Sequence, residues 1–231
     1  MKDLPGPPRH YLIHLGCTVT NGKLVGMHHW QSKANVEQNI RNLGIPATFF
    51  LAGFFMQTLS TAFFRQDKAS NTWTLQMPFA ANTPMPLIDA ATDTGKYVKS
   101  ILHQREKMLG KRILAAADYY TAQEVVDVFV EAKPEAGKGA SYKEVSPAIF
   151  RAYLRDDLGF GEGAQDELLE NMQLLSEFGY FGGADLAESN SVSHSRPSVE
   201  NGNAMCKTVE LLTTRWIDLD RQVDQLERFR S

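Results

Sequence analysis

The residues of this chain best suited to handling a proton are His29 and Lys33, in the string His29-Trp-Gln-Ser-Lys33. Four positions apart, they share one face of any helix that begins by His29, with Cβ atoms about 6 Å apart. An imidazole gives or takes a proton near neutral pH, and an ammonium steadies the charge left behind. A solvated His and Lys at a helix start is the competing meaning, and spacing alone leaves both open. Other arrangements are weaker. Gly159-Phe-Gly161-Glu-Gly-Ala164 matches a phosphate cradle in letters. Such a cradle needs a strand before it and a helix after it. This one follows a helical pattern and carries Glu162, whose charge repels phosphate, so an interhelical loop is expected. His10 and His14 share a strand face and His28 adjoins His29, but no Cys or carboxylate stands at zinc spacing with them. No metal site is expected.

The elements that must carry these residues follow an α/β rhythm. Tyr11–Leu15 reads as a buried strand, Asn21-Gly22 as a turn, and Ser32–Leu43 as a helix closed by Gly44, with Val36, Ile40 and Leu43 at helical spacing. After Ile45-Pro46, Ala47–Leu51 reads as another strand. Strand, helix, break, strand is the βαβ unit of a parallel sheet. The Phe-rich stretch Gly53–Phe64 is expected to be a helix. Strands follow at Trp73–Met77 and Arg112–Ala116, with Pro86-Leu-Ile-Asp89 between them. Asp93 is expected to cap a helix with Tyr97, Val98, Ile101 and Leu102 inward. Thr121-Ala-Gln-Glu124 is a capping box opening a helix that buries Val125, Val126, Phe129 and Val130.

From Ala132 onward the pattern is helical. Ser146-Pro147 caps one helix, and a second carries Leu168, Leu169, Met172, Leu175 and Phe178 before Gly179. Glu188–Asn203 reads as a loop, and Val209–Phe229 as an amphipathic helix that packs at home or on a partner. The expected divisions are 1–131 for the sheet region, 132–187 for a helical substrate- or partner-side subdomain, and 188–231 for the loop and last helix.

A net charge of −3 over 231 residues gives no basis for direct nucleic-acid binding. The basic run Lys107–Arg112 reads as a solvated helix end. Two distant cysteines, Cys17 and Cys206, build no disulfide framework, so a reducing compartment, cytoplasmic or nuclear, is expected. Neither a signal-peptide pattern nor an apolar stretch of bilayer length is present, and no membrane partner is expected.

Several runs together resemble the NmrA-like family of atypical short-chain dehydrogenases. They are His28–Gln57, Pro86–Val98, Tyr119–Val126 and Leu168–Gly183, so the resemblance covers about Tyr11 to Leu186. It implies a Rossmann-type fold that binds NADP or NAD. It also implies either a redox-sensing regulator that contacts transcription factors or, in the isoflavone-reductase-like branch, an NAD(P)-dependent oxidoreductase. In the catalytic branch Lys33, with Val36, matches the lysine of the Lys-x-x-Val context. Short-chain reductases place a Tyr four residues before that lysine; His29 stands there, which favours a non-catalytic role. Gly53, Phe54, Phe55 and Met56 match the family's turn at the nicotinamide end of the cofactor, with Thr58 where Asn is usual.

The family's first strand and its Gly-x-x-Gly-x-x-Gly loop have no counterpart in this sequence. The expected fold class is therefore α/β: an incomplete Rossmann-like parallel sheet, later strands only, with a mainly helical C-terminal region. A truncated chain of this kind is expected to hold NAD(P) weakly. Its open sheet edge at Tyr11–Leu15 invites oligomers or a completing protein partner, a transcription regulator by resemblance.

Overall fold

The computed structural model describes residues 23–67 and 69–192. The expected strand Tyr11–Leu15, the Asn21-Gly22 turn, both cysteines and the expected last helix lie outside these residues.

Helix α1 (His28–Asn42) starts four residues before Ser32 and has no cap from its own N-cap residue, Met27. Gly44, at φ +67°, ends it in the left-handed conformation that glycine adopts without strain. The chain then forms β1 (Phe49–Ala52), which pairs in parallel with β6 (Arg112–Ala115) from Phe49↔Arg112 to Ala52↔Ala115. The helix between them is α3 (Ala90–His103), followed by a short α4 (Arg105–Met108). Gly53 separates β1 from β2 (Phe54–Phe55), which pairs with a different strand, β5 (Pro84–Ile88), also in parallel. The chain passes so close to β5 that a Cβ on Gly53 would sit 2.3 Å from the Pro86 carbonyl oxygen. β7 (Asp118–Thr121) adds antiparallel to the far side of β5.

The Phe-rich stretch is not the single helix that its composition suggests. After β2 it makes one α turn, α2 (Met56–Thr58), then a π-helical segment (Leu59–Phe63), then β3 (Phe64–Asp67). β3 pairs antiparallel with β4 (Thr72–Met77), and β4 pairs in parallel with β8 (Ser141–Glu144). β8 lies in the stretch read as helical, and Ser141-Tyr-Lys-Glu144 is too short and polar to announce a strand. Its burial comes from Tyr142, whose hydroxyl donates to the Phe79 carbonyl.

α5 (Ala122–Ala132) opens on the expected capping box: the Thr121 hydroxyl accepts from Glu124 N, and the Glu124 carboxylate accepts from Thr121 N at 2.7 Å. α6 (Pro147–Asp156) is capped by Ser146, and α7 (Glu162–Glu177) ends before Gly179, at φ +78°. A large core joins β2 to β5, α5, α6 and α7, with Leu75, Met77, Leu87, Phe150 and Leu154 essentially inaccessible.

Several expectations need correction. The cap of α3 is Asp89, accepting from Ala91 N and Thr92 N, while Asp93 in the first turn pairs with Lys96. Of its expected inward residues Tyr97 is buried, but Val98 and Leu102 are exposed, because only one face of α3 meets the sheet. Val130 on α5 is likewise exposed. α1 buries Ala34 and Glu37, leaving Val36 57% and Leu43 74% exposed. The stretch from Glu188 begins in α8 (Ala187–Val192), a short helix laid along β6: Leu114 N donates to Ser189 Oγ at 2.8 Å, and the Tyr97 hydroxyl reaches both Ala116 O and Asn190 Oδ1. α8 covers a strand edge that would otherwise present unpaired amides. Within the basic run, Arg112 is no solvated helix end, since it pairs with the buried Glu37 at 2.8 Å.

Candidate functional site

Among the described residues, a cleft of about 600 Å³ lies between α1 and β1. It is lined by one long face of α1, by the whole of β1, and by Gly53, Phe55 and Tyr180. The α1 face has two ridges. His29, Lys33 and Glu37 recur at four-residue spacing, and Ser32, Val36 and Ile40 run beside them. His29 and Lys33 are both exposed toward this space, one helical turn apart.

The first turn of α1 is fixed from a distance. Glu167 on α7 accepts from His29 N at 2.7 Å, and the same oxygen takes His29 Nδ1. Three and four residues along α7, Glu170 accepts from Gly26 N at 2.7 Å, and Asn171 accepts from Trp30 Nε1 at 2.5 Å. Trp30 packs edge-on against Tyr180. A helix start leaves amides without intrahelical partners and carries partial positive charge, so carboxylates are stabilised there. Burial raises the Glu167 carboxyl, but the hydrogen bonds from His29 N and its ring, with the charges of His29 and His28, outweigh it and hold the group below its ordinary value.

Farther along α1, Glu37 is 4% exposed and accepts from both Arg41 Nε and Arg112 Nε at 2.8 Å. Arg41 also covers the Phe49 ring at 4.3 Å and donates to Gly110 O. This cluster locks the far end of α1 to the start of β6. Spacing from His29 and Lys33 along the same face was a usable sign for Glu37. Nothing in the sequence pointed to Glu167, which lies 138 positions from His29.

Among the residues expected at a cofactor, Lys33, His29, Gly53 and Phe55 line the cleft, whereas the side chains of Phe54 and Met56 lie in the large core. Strand polarity explains the split: alternate residues point to opposite faces, so Phe55 faces out when Phe54 faces in. The string from Gly159 to Ala164 joins α6 to α7, with Gly161 as N-cap and Glu162 in the first turn. Among the described residues there is no group of three His, Cys, Asp or Glu placed to hold a metal ion. No described helix is long and apolar enough to cross a membrane.

Of the residues matched by resemblance to the nicotinamide end of a dinucleotide, Gly53, Phe55 and Lys33 face the cleft. Pyrophosphate calls for free amides at a helix start. Among the longer described helices, α1 has carboxylates there, α3 has Asp89, α5 has Thr121 with Glu124, α6 has Ser146, and α7 has Glu162 in its first turn.

A helix-backed cleft beside parallel strands, in a chain alternating strand and helix, defines an α/β protein of the Rossmann-like class. The sequence profile of the NmrA-like family matches residues 16–210, and the chain belongs to that family. The nitrogen metabolite repression protein nmr of Neurospora crassa is 32% identical over 106 residues, which are 43% of this chain and 22% of that protein. The corresponding nmrA protein of Emericella nidulans is 28% identical over 108 residues, 45% of this chain and 31% of that protein. A crystal structure of NmrA, a negative transcriptional regulator, in complex with NADP aligns with a TM-score of 0.61 at 19% identity. That alignment covers 80% of this chain and 58% of NmrA. The NAD complex of NmrA aligns with a TM-score of 0.58, also at 19% identity, over 78% of this chain and 56% of NmrA. The structural likeness establishes the fold, and the chain spans only part of the length of each relative.

Proposed function

We propose that this chain is a regulatory, redox-sensing NmrA-like protein that acts in the cytoplasm or nucleus by contacting another protein, a transcription regulator, and that it holds NAD(P) weakly on its own. The relatives named as repression proteins and as a negative transcriptional regulator support the role. The observation that carries the cofactor half is the state of the helix starts. Among the longer described helices, α1, α3, α5 and α6 have a carboxylate or hydroxyl on the first amides, where a phosphate would need them open, and α7 carries the repelling charge of Glu162 in its first turn. Calorimetric titration of the purified chain with NADP and with NAD is expected to give no saturable heat at micromolar concentrations; a micromolar dissociation constant overturns this half. The regulatory half predicts that a transcription regulator co-purifies with the chain. Its retention is expected to be lost on Val36→Glu, which places a charge on the exposed ridge of α1. If a regulator binds equally well to that variant, α1 is not the contact.

A second reading, an NAD(P)-dependent oxidoreductase of the isoflavone-reductase-like kind, is favoured by one feature: His29 and Lys33 line the same cleft one turn apart. Steady NADPH oxidation with a carbonyl substrate, abolished by Lys33→Ala, would establish it.

A further inference from the structure

Helix α3 has a face that the sheet does not use. Ala91, Gly95, Val98 and Leu102 recur along it at intervals of four, three and four, and all four are exposed among the described residues. Residues so spaced form a narrow stripe along one side of a helix. Val98 and Leu102 stand 42% and 68% exposed, next to the stripe of Tyr97 and Ile101 that meets the sheet. A Cβ on Gly95 would meet no described atom within 4 Å, so the backbone itself is open to a neighbour there. Lys99 edges the stripe on the side away from the sheet.

Residues 193–231 lie outside the described residues, and their sequence carries a matching pattern. Val209, Leu212, Trp216, Leu219, Val223 and Leu226 alternate at intervals of three and four. A stripe of this width suits a helix laid along a second helix. One edge of it is acidic, with Asp220, Asp224 and Glu227, and Arg215 stands on the other. From residue 211 the segment lies beyond the stretch that the family profile matches.

We propose that residues 209–229 dock as a helix on this outer face of α3 in the same chain, antiparallel to it. The path of the chain favours α3: the last described helix, α8, is seated against it, with the Tyr97 hydroxyl donating to Asn190 Oδ1 at 3.1 Å. Residues 193–208, extended, reach up to about 50 Å. That exceeds twice the length of α3, about 21 Å for its 14 residues. Size is complementary as well. Ala91 and Gly95 leave room on α3 where the segment brings the indole of Trp216, whereas two copies of the segment paired in parallel would set Trp216 against its own counterpart. Charge selects the direction, since an antiparallel helix turns its acidic edge to Lys99 and a parallel one turns Arg215 to it. The docked segment covers Val98 and Leu102. The assignment is independent of the cleft and of both functional readings above.

The test uses the full chain grown with 5-fluorotryptophan, with Cys17 and Cys206 replaced by Ser and a nitroxide attached at Lys96→Cys. The ¹⁹F signal of Trp216, assigned with Trp216→Phe, is expected to be lost to broadening by the nitroxide and to return when the label is reduced. Adding Leu102→Asp, at an exposed position, is expected to restore the signal with the nitroxide still active, while unchanged shifts for Trp30 and Trp73 show an intact fold. Lys99→Glu is expected to weaken docking, and Asp220→Lys with Asp224→Lys to rescue it; weakening without rescue overturns the antiparallel direction. A Trp216 signal that stays sharp beside the nitroxide overturns the proposal without any further variant having to fold. So does broadening that persists in Leu102→Asp. Broadening in a mixture of chains that carry nitroxide and fluorine separately assigns the face to a second copy and overturns it too.

Discussion

The two ends of one strand segment live in different surroundings. Phe54 and the elements it meets belong to a core in which Leu75, Met77, Leu87 and Leu154 have no measurable exposure. β1, immediately before it, is half-buried at all four positions, and the helix that backs it shows Val36 and Leu43 to solvent. The first region is held by apolar packing among many elements. In the second, small apolar clusters around Met27 and beneath Phe50 and Leu51 are joined by polar clamps: Glu167, Glu170 and Asn171 at one end of α1, and Glu37 with two arginines at the other. A cleft can exist beside α1 because clamps fix a helix at its ends without filling the space along its side.

The contrast is most exposed to test by paired truncations. Phe150→Ala, in the large core, is expected to destabilise by ~3–5 kcal/mol, the cost of lost burial plus a cavity. Leu43→Ala, at the C-cap of α1, is expected to change stability by less than ~0.5 kcal/mol. Urea unfolding of both variants checks the difference, and comparable losses would show α1 to be packed as tightly as the core.

Gly53→Ala comes next. The new methyl would meet the Pro86 carbonyl at 2.3 Å, and a backbone oxygen cannot step aside as a side chain can. A loss of about 3 kcal/mol in urea is expected. Ser189→Ala, which removes the acceptor for the buried Leu114 N, is expected to cost ~1–2 kcal/mol and to speed amide exchange in β6.

The smallest effect concerns acid. Glu167 is held below its ordinary value, so its ionised form stabilises the fold above the unfolded-state value, and the contribution is lost as pH falls through the folded one. The thermal midpoint of wild type should exceed that of Glu167→Gln at neutral pH and converge with it in acid. A gap that persists to low pH would mean that the clamp does not act through the carboxylate.

What could be read from the sequence follows from how local each feature is. The capping box at Thr121, the Ser146-Pro147 start and the strand at Arg112 depend on neighbours in sequence, and the structure has them where expected. The π-helical turn at Leu59, the strand at Ser141 and the helix at Ala187 depend on distant partners, so no periodicity announced them. At the cleft, helical spacing placed His29 and Lys33 on one face of α1. The spacing of Val36, Ile40 and Leu43 did not say that Val36 and Leu43 would be exposed, since periodicity marks which residues share a face and not what faces them. Phe54 and Met56, matched to the family's cofactor turn by resemblance, have their side chains in the core.

Gly53 has a mechanical meaning beyond its tight fit. Residues 49–55 run as one beam that rests first on β6 and then on β5, with this glycine as the bearing between the supports. A force that tilts the cleft floor must reach the main core through that joint, and loosening of the core must reach the cleft by the same road.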